Sequence, residues 1–241
     1  MNKLSIMKRI YILILLAGLS SGSLRAQSAL GVTGQSLIPT AEMQQTGTFM
    51  GGANFLPEQV TPDNFSYPTM NYYVNMTLFS FIELNYRMTL LKTPDASGKK
   101  TYHEQDRSNT IRIRPLAESR LLPAVVFGID DLFTEEAGSQ FWGAYYGVLT
   151  KHFDWRGGHT LAVTAGWYIP AGGHPYNKGP FGGVSYIPAF CRELRLMAEY
   201  DSHGWNVGGA VRLWRHFTLH AFTRQFTCVS AGVRYECTLI H

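Results

Sequence analysis

A hydrolytic site needs a nucleophile, a base and a group that orients the base, all within hydrogen-bond reach. Asp201-Ser202-His203 offers those residue types in a row. Neighbours on an extended chain point to opposite faces, and Gly204 follows, so a tight turn is the better reading. His216 and His220 share a strand face but stand roughly 13 Å apart at about 3.3 Å per residue, too far for one metal ion. His103, His152, His159 and His174 fall in or beside expected connections. Beyond residue 26 no GxSxG motif occurs, and HExxH and CxxC are absent from the whole sequence. Cys191, Cys228 and Cys237 are an odd set. The last two lie on one expected strand, roughly 30 Å apart, and cannot pair. These residues point to no catalytic group, no cofactor and no metal. What remains is a set of charges of both signs, Glu83, Arg87, Arg112, Arg114, Glu199 and Arg234, suited either to a structural network or to polar contact with a saccharide or anion.

Those charges recur with period two, which is the period of a strand. Ile82, Leu84, Tyr86, Met88 and Leu90 alternate with Glu83, Asn85, Arg87 and Thr89. Leu194, Leu196, Ala198 and Tyr200 alternate with Glu193, Arg195, Met197 and Glu199. Val229, Ala231, Val233 and Tyr235 alternate with Ser230, Gly232, Arg234 and Glu236. No stretch of helical period follows residue 26. The pattern predicts twelve strands, at 47–56, 70–79, 81–91, 109–116, 122–131, 140–152, 159–169, 179–189, 193–202, 204–214, 217–226 and 228–238. Most run to about ten residues, the length a tilted strand needs to cross the hydrocarbon layer. Connections 57–69, 92–108, 132–139 and 170–178 are long and alternate with short ones, as they do in outer-membrane barrels. The 92–108 connection, with Gly98-Lys99-Lys100, reads as a polar loop.

In bilayer every backbone polar group must be paired, so a β-protein must close on itself. The sequence therefore predicts an all-β chain, a single antiparallel transmembrane β-barrel of about twelve strands, with a lipid-facing apolar side and a charged lumen. Composition agrees: 16% charged, 45% hydrophobic, 13% aromatic and 24 glycines in 241 residues. That balance excludes disorder and coiled coil.

Lys3, Lys8 and Arg9 precede the apolar run 10–19, which is half the length of a spanning helix and reads as a cleaved secretory signal. Cleavage after Ala26 is favoured, with Ser23 the alternative. Residues 1–26 are thus a signal peptide, 27–46 a lead or plug segment (or a first strand, against which Pro39 argues), and 47–241 the barrel. Four of the 21 basic residues lie in the signal, leaving 17 against 17 acidic. The +4 net charge therefore belongs to the export signal and gives no reason to expect nucleic acid.

Four segments in order resemble the YjbH-like family of outer-membrane proteins linked to exopolysaccharide production, here as a short member. They are Gly34-Gln-Ser-Leu-Ile-Pro39-Thr40-Ala41 with Gly47-Thr48, Phe81–Thr89, and Leu122–Asp131 with the aromatic-rich 141–151. The fourth is Gly179–Val184 with Glu199-Tyr200-Asp201 and Asn206-Val-Gly208. In the second, Tyr86-Arg87 reverses the family's order. The resemblance implies a Gram-negative outer-membrane, porin-like barrel, accessory to exopolysaccharide production or export and not an enzyme. Its implied partners are outer-membrane lipid and a surface polysaccharide or its export machinery. Two alternatives stand: a lipid- or lipopolysaccharide-modifying barrel enzyme, and a soluble periplasmic β-sandwich binding module.

Overall fold

A computed structural model describes residues 28–63, 65–131, 140–155, 157–172 and 176–239. The expected signal peptide lies outside the described residues. Twelve strands follow one another around a closed antiparallel barrel. They are β1 (Thr48–Leu56), β2 (Thr69–Phe79), β3 (Ile82–Pro94), β4 (Lys100–Leu116), β5 (Ala124–Asp130) and β6 (Ala144–Asp154). Then come β7 (Thr160–Pro170), β8 (Gly179–Ile187), β9 (Leu194–Tyr200), β10 (Trp205–Leu213), β11 (Phe217–Arg224) and β12 (Cys228–Thr238). β12 closes on β1 in a continuous antiparallel register from Phe55↔Ala231 to Thr48↔Thr238. Closure leaves no edge strand, as a lipid environment requires, and excludes the β-sandwich.

The two ends differ. Connections 80–81, 117–123, 155–159, 188–193 and 214–216 form the turn end, and 57–68, 131–143 and 171–178 dominate the loop end. Between them the outer face is apolar, with Val74, Ile113, Leu149, Val184, Leu196 and Leu219 all more than a third exposed. Large exposed aromatics gather at both rims. Phe79, Phe81, Trp155, Trp214, Phe217 and Tyr235 stand at the turn end; Phe55, Tyr145, Trp167 and Trp205 stand at the loop end. Two such girdles around an apolar band are the signature of a membrane-spanning barrel.

One expected connection is mostly strand. Residues 92–94 extend β3 and 100–108 extend β4, leaving only 95–99 as a turn. From Leu91↔Glu104 outward the hairpin pairs with no other strand and leans on the loop before β2, where the Lys92 N–H donates to the Tyr67 hydroxyl at 2.8 Å and the Tyr102 hydroxyl to the Pro68 carbonyl. Its residues are polar on both faces, so no apolar alternation marked it. His103 consequently belongs to a strand, where Thr93 and Thr101 hydroxyls meet its ring.

Residues 28–46 do not join the sheet. Up to Gln44 they lie inside the barrel as a folded plug, with every residue from Ser28 to Ala41 buried, and Gln45 and Thr46 emerge exposed at the turn end. Gly34 and Pro39 form a short bridge, and the Gln35 N–H donates to the Ile38 carbonyl at 2.9 Å. Gly31 has φ +88°, and a Cβ there would lie 2.7 Å from the Tyr73 ring; only glycine fits that approach. Ile38 and Met43, both fully buried, pack on Val126, Val148, Tyr146, Tyr168 and Phe181 of β5–β8. Burial of each such side chain contributes about 1.5–3 kcal/mol. On these strands the lumen face is therefore partly apolar, with Thr150 and Thr164 among its buried polar residues.

Candidate functional site

The lumen residues that could act chemically converge on the backbone of the plug. Glu83, on β3 and fully buried, accepts hydrogen bonds from the Thr33 N–H and from Asn75 Nδ2, both at 2.8 Å. Its other oxygen pairs with Arg112 Nη1 at 2.8 Å. Arg112, on β4, also donates to the Thr40 carbonyl. Arg87 donates to the Leu30 carbonyl at 3.3 Å and to the Ser108 hydroxyl at 3.0 Å, and its guanidinium lies 4.5 Å from the Trp142 ring centre. Across the lumen, the Glu199 carboxylate of β9 accepts the Ser36 and Leu37 N–H groups at 2.9 and 2.7 Å. Asn206 Nδ2 supports it at 3.1 Å.

The plug's 33–37 turn thus has a buried carboxylate on either side, each taking backbone N–H groups that would otherwise be unpaired. Unpaired buried donors cost about 1–3 kcal/mol each. Asn54 and Asn71 both donate to the Ala29 carbonyl, and Asn75 donates to the Gly31 carbonyl. Gly183 brings its strand close enough that a Cβ would meet Gln35 at 2.4 Å and Glu199 at 2.7 Å.

Not every expected charge joins this set. Arg234 is buried on β12, where it donates to the Thr218 hydroxyl at 3.1 Å and pairs with Glu236 at 2.8 Å. Arg114 is half-buried near the turn end. The amides Asn54, Asn71, Asn75 and Asn85 belong to the set as well, and their inward period-two positions are its signal in the sequence. Glu42 carries no such local signal. This carboxylate meets Arg195 Nη2 at 2.9 Å and His152 Nε2 at 3.0 Å, and His152 Nδ1 meets Glu118 at 2.6 Å. Burial pushes the Glu42 carboxyl up, but Arg195 and then His152 outweigh it and hold it well below the ordinary carboxylate range.

Asp201, Ser202 and His203 form the β9–β10 turn, with Ser202 at φ 72°. Asp201 Oδ1 accepts the His203 and Gly204 N–H groups at 3.1 and 2.9 Å. His203 stacks on Tyr176 at 3.8 Å and its Nε2 reaches the Tyr176 carbonyl at 2.9 Å. Arg224 joins Asp201 to the Gln59 carbonyl and the Tyr176 hydroxyl. The segment therefore ties the loops over the plug.

These features define a class: a closed transmembrane β-barrel whose lumen is occupied by its own amino-terminal segment. The chain belongs to the YjbH family, described as "Exopolysaccharide biosynthesis protein YbjH", whose family model matches residues 26–173. No curated protein matches the chain. Among solved structures it is similar to the Salmonella typhi outer membrane phospholipase (OMPLA) dimer with bound calcium. Identity is 9%, 86% of this chain and 94% of that chain are covered, and the TM-score is 0.36. So slight a likeness carries no argument about this chain. Within the matched residues, segments 34–41 and 81–89 supply the plug and the Glu83 and Arg87 side chains that hold it; Gly183 and Glu199 lie beyond the match.

Proposed function

We propose that the protein resides in the outer membrane of a Gram-negative cell, turn end toward the periplasm, as a non-catalytic accessory to exopolysaccharide production or export. Membership of the YjbH family is the observation that carries this reading. The lumen supports it: Glu83, Arg112 and Glu199 are engaged with the plug rather than turned to a substrate-sized space. The turn geometry at Asp201–His203 supports the non-catalytic part, since Ser202 and His203 make no nucleophile–base contact with each other. The partners in this reading are outer-membrane lipid at the apolar band and the polymer or its export machinery at the barrel ends. Deleting the chain from the cell tests it, with the amount and chain length of secreted polysaccharide as readout. A fall in either is expected; unchanged polymer would remove the reading. Localisation is tested separately by carbonate extraction and by the change in gel mobility on boiling in detergent.

A further inference from the structure

The lipid-facing side of the barrel wall continues without a break onto the β3–β4 hairpin. Its apolar foot is the pairs Ile82↔Ile113 and Leu84↔Ile111, with Leu84 and Ile113 more than a third exposed. Side chains of directly paired residues share a face. Moving outward, that face carries Met88↔Arg107, Leu90↔Gln105, Lys92↔Tyr102 and Pro94↔Lys100. The irregularity between Leu91 and Lys92 absorbs His103 and keeps the face in phase. Arg107, Lys92 and Lys100 therefore form one outward column above the apolar wall. Met88 and Lys92 are four residues apart, so the first two cations are separated by about 13 Å of strand.

The hairpin sorts its charges by face. Glu104 and Asp106 sit on the other side, opposite Leu91 and Thr89, and Asp106 is fully buried. Asp95, in the turn, accepts the Ser97 N–H and hydroxyl at 2.8 and 2.6 Å and the Lys99 N–H at 3.0 Å. None of the three outward cations pairs with a carboxylate among the described residues. Lys92 is placed by aromatic rings instead, its Nζ lying 4.9 Å from the Tyr102 ring centre and 5.6 Å from that of Tyr67. Tyr102 is in turn pinned through its hydroxyl to the Pro68 carbonyl. Arg107 and Lys100 are exposed. Three like charges in a column with no acid beside them repel one another and attract anions from outside the chain.

We propose that this outward face of the hairpin binds the phosphates of an outer-leaflet lipopolysaccharide. The acyl chains lie on the apolar foot, Arg107 meets the phosphate nearest the hydrocarbon, and Lys92 and Lys100 meet anionic groups farther out. Arginine and lysine are the side chains suited to phosphate, and cations clustered beside a lipid-facing wall are the footprint of an anionic headgroup. A free acidic polymer matches less well, because it has no use for the apolar wall beneath the cations. The assignment names the lipid in the outer-membrane reading and rests on that reading's orientation, loop end outward. Thermophoretic titration of the purified full-length protein in non-ionic detergent tests it, using diphosphoryl lipid A, its dephosphorylated form and polyglucuronate.

Saturable binding of diphosphoryl lipid A is expected, with the other two probes each at least about tenfold weaker. The combined variant Lys92→Gln, Lys100→Gln, Arg107→Gln should weaken lipid A binding by at least about tenfold. A second combined variant, Arg120→Gln, Arg192→Gln, Arg215→Gln, removes equal charge from exposed turn-end residues and should leave binding within about twofold. Should the hairpin variant lose its heat-modifiable mobility, Lys100→Gln with Arg107→Gln takes its place. No lipid A binding, equal binding of the dephosphorylated lipid, tighter binding of polyglucuronate, an indifferent hairpin variant, or equal losses in the two combined variants would each overturn the assignment. If the protein fractionates with the outer membrane but binds no lipid A, the hairpin assignment falls and the residence stands. If lipid A binds and the protein is absent from the outer membrane, the residence falls and the phosphate recognition stands.

Discussion

The Glu83–Arg112 pair fastens the plug, and its strength can be worked from the contacts. Glu83→Leu removes the acceptor for the Thr33 N–H and Asn75 Nδ2 and leaves a fully buried guanidinium with the Thr40 carbonyl still in reach. Breaking a buried pair on one side costs about 3–5 kcal/mol, mostly from the uncompensated charge. Arg112→Met is milder, roughly 2–3 kcal/mol, because the carboxylate keeps two donors. The double variant carries no buried charge at this place, and buried pairs replaced by apolar residues are often neutral. Its cost should be close to that of the two stranded donors and the Thr40 carbonyl, about 2–4 kcal/mol. The double should therefore be less destabilised than the sum of the singles, by about 3–4 kcal/mol at matched ends of these ranges and by no less than about 1 kcal/mol. Urea unfolding in lipid vesicles, followed by tryptophan fluorescence and gel mobility, measures all three. Additive costs within about 0.5 kcal/mol would refute the coupling and with it the claim that this pair is a fastening for 28–46.

Three further outcomes follow from the geometry. The intact protein should be silent in planar bilayers, and a variant lacking residues 28–46 should conduct; a silent deletion variant with correct heat-modifiable mobility would show that wall side chains and loops alone fill the lumen. Asp131, just beyond β5, has its carboxyl pushed up to about 7 by burial, with Arg87 opposing and Asp130 and Asp106 reinforcing. A folded pKa above the unfolded value of about 3.9 means that the stability it contributes is complete below that value and is lost as pH rises through 7. Asp131→Asn should flatten the decline of the thermal midpoint over that window, and a parallel decline in the variant would count against Asp131 as its source. Cys191, in the β8–β9 turn, should react with a membrane-impermeant maleimide only after cells are permeabilised, whereas Ser97→Cys at the tip of the β3–β4 hairpin (with native cysteines replaced) should react on intact cells; the reverse pattern would invert the assigned orientation.

Much of the barrel was legible because a lipid-facing strand writes a period-two record. β3, β9 and β12 show it, and their inward charges Glu83, Arg195, Glu199 and Arg234 are all buried. The record fails where the two faces do not differ. On β4 before residue 109 both faces are polar, so the alternation that marks a strand is missing from 100–108. On β5 both faces are apolar: Phe127 looks outward, while Val126 packs against the plug.

The sequence by itself determined the closed all-β class, the twelve strands and, outside β5 and residues 100–108, the side each residue takes. Those depend on local alternation and on the rule that backbone in lipid must be paired. Only the tertiary structure decided what the lumen charges do. Glu83 and Glu199 stand 116 positions apart, and their meeting with the 33–37 backbone depends on barrel closure and strand register, which no local pattern encodes. For the same reason Glu42, His152, Glu118 and Arg195, scattered over plug, strands and turn, came together only in the folded chain.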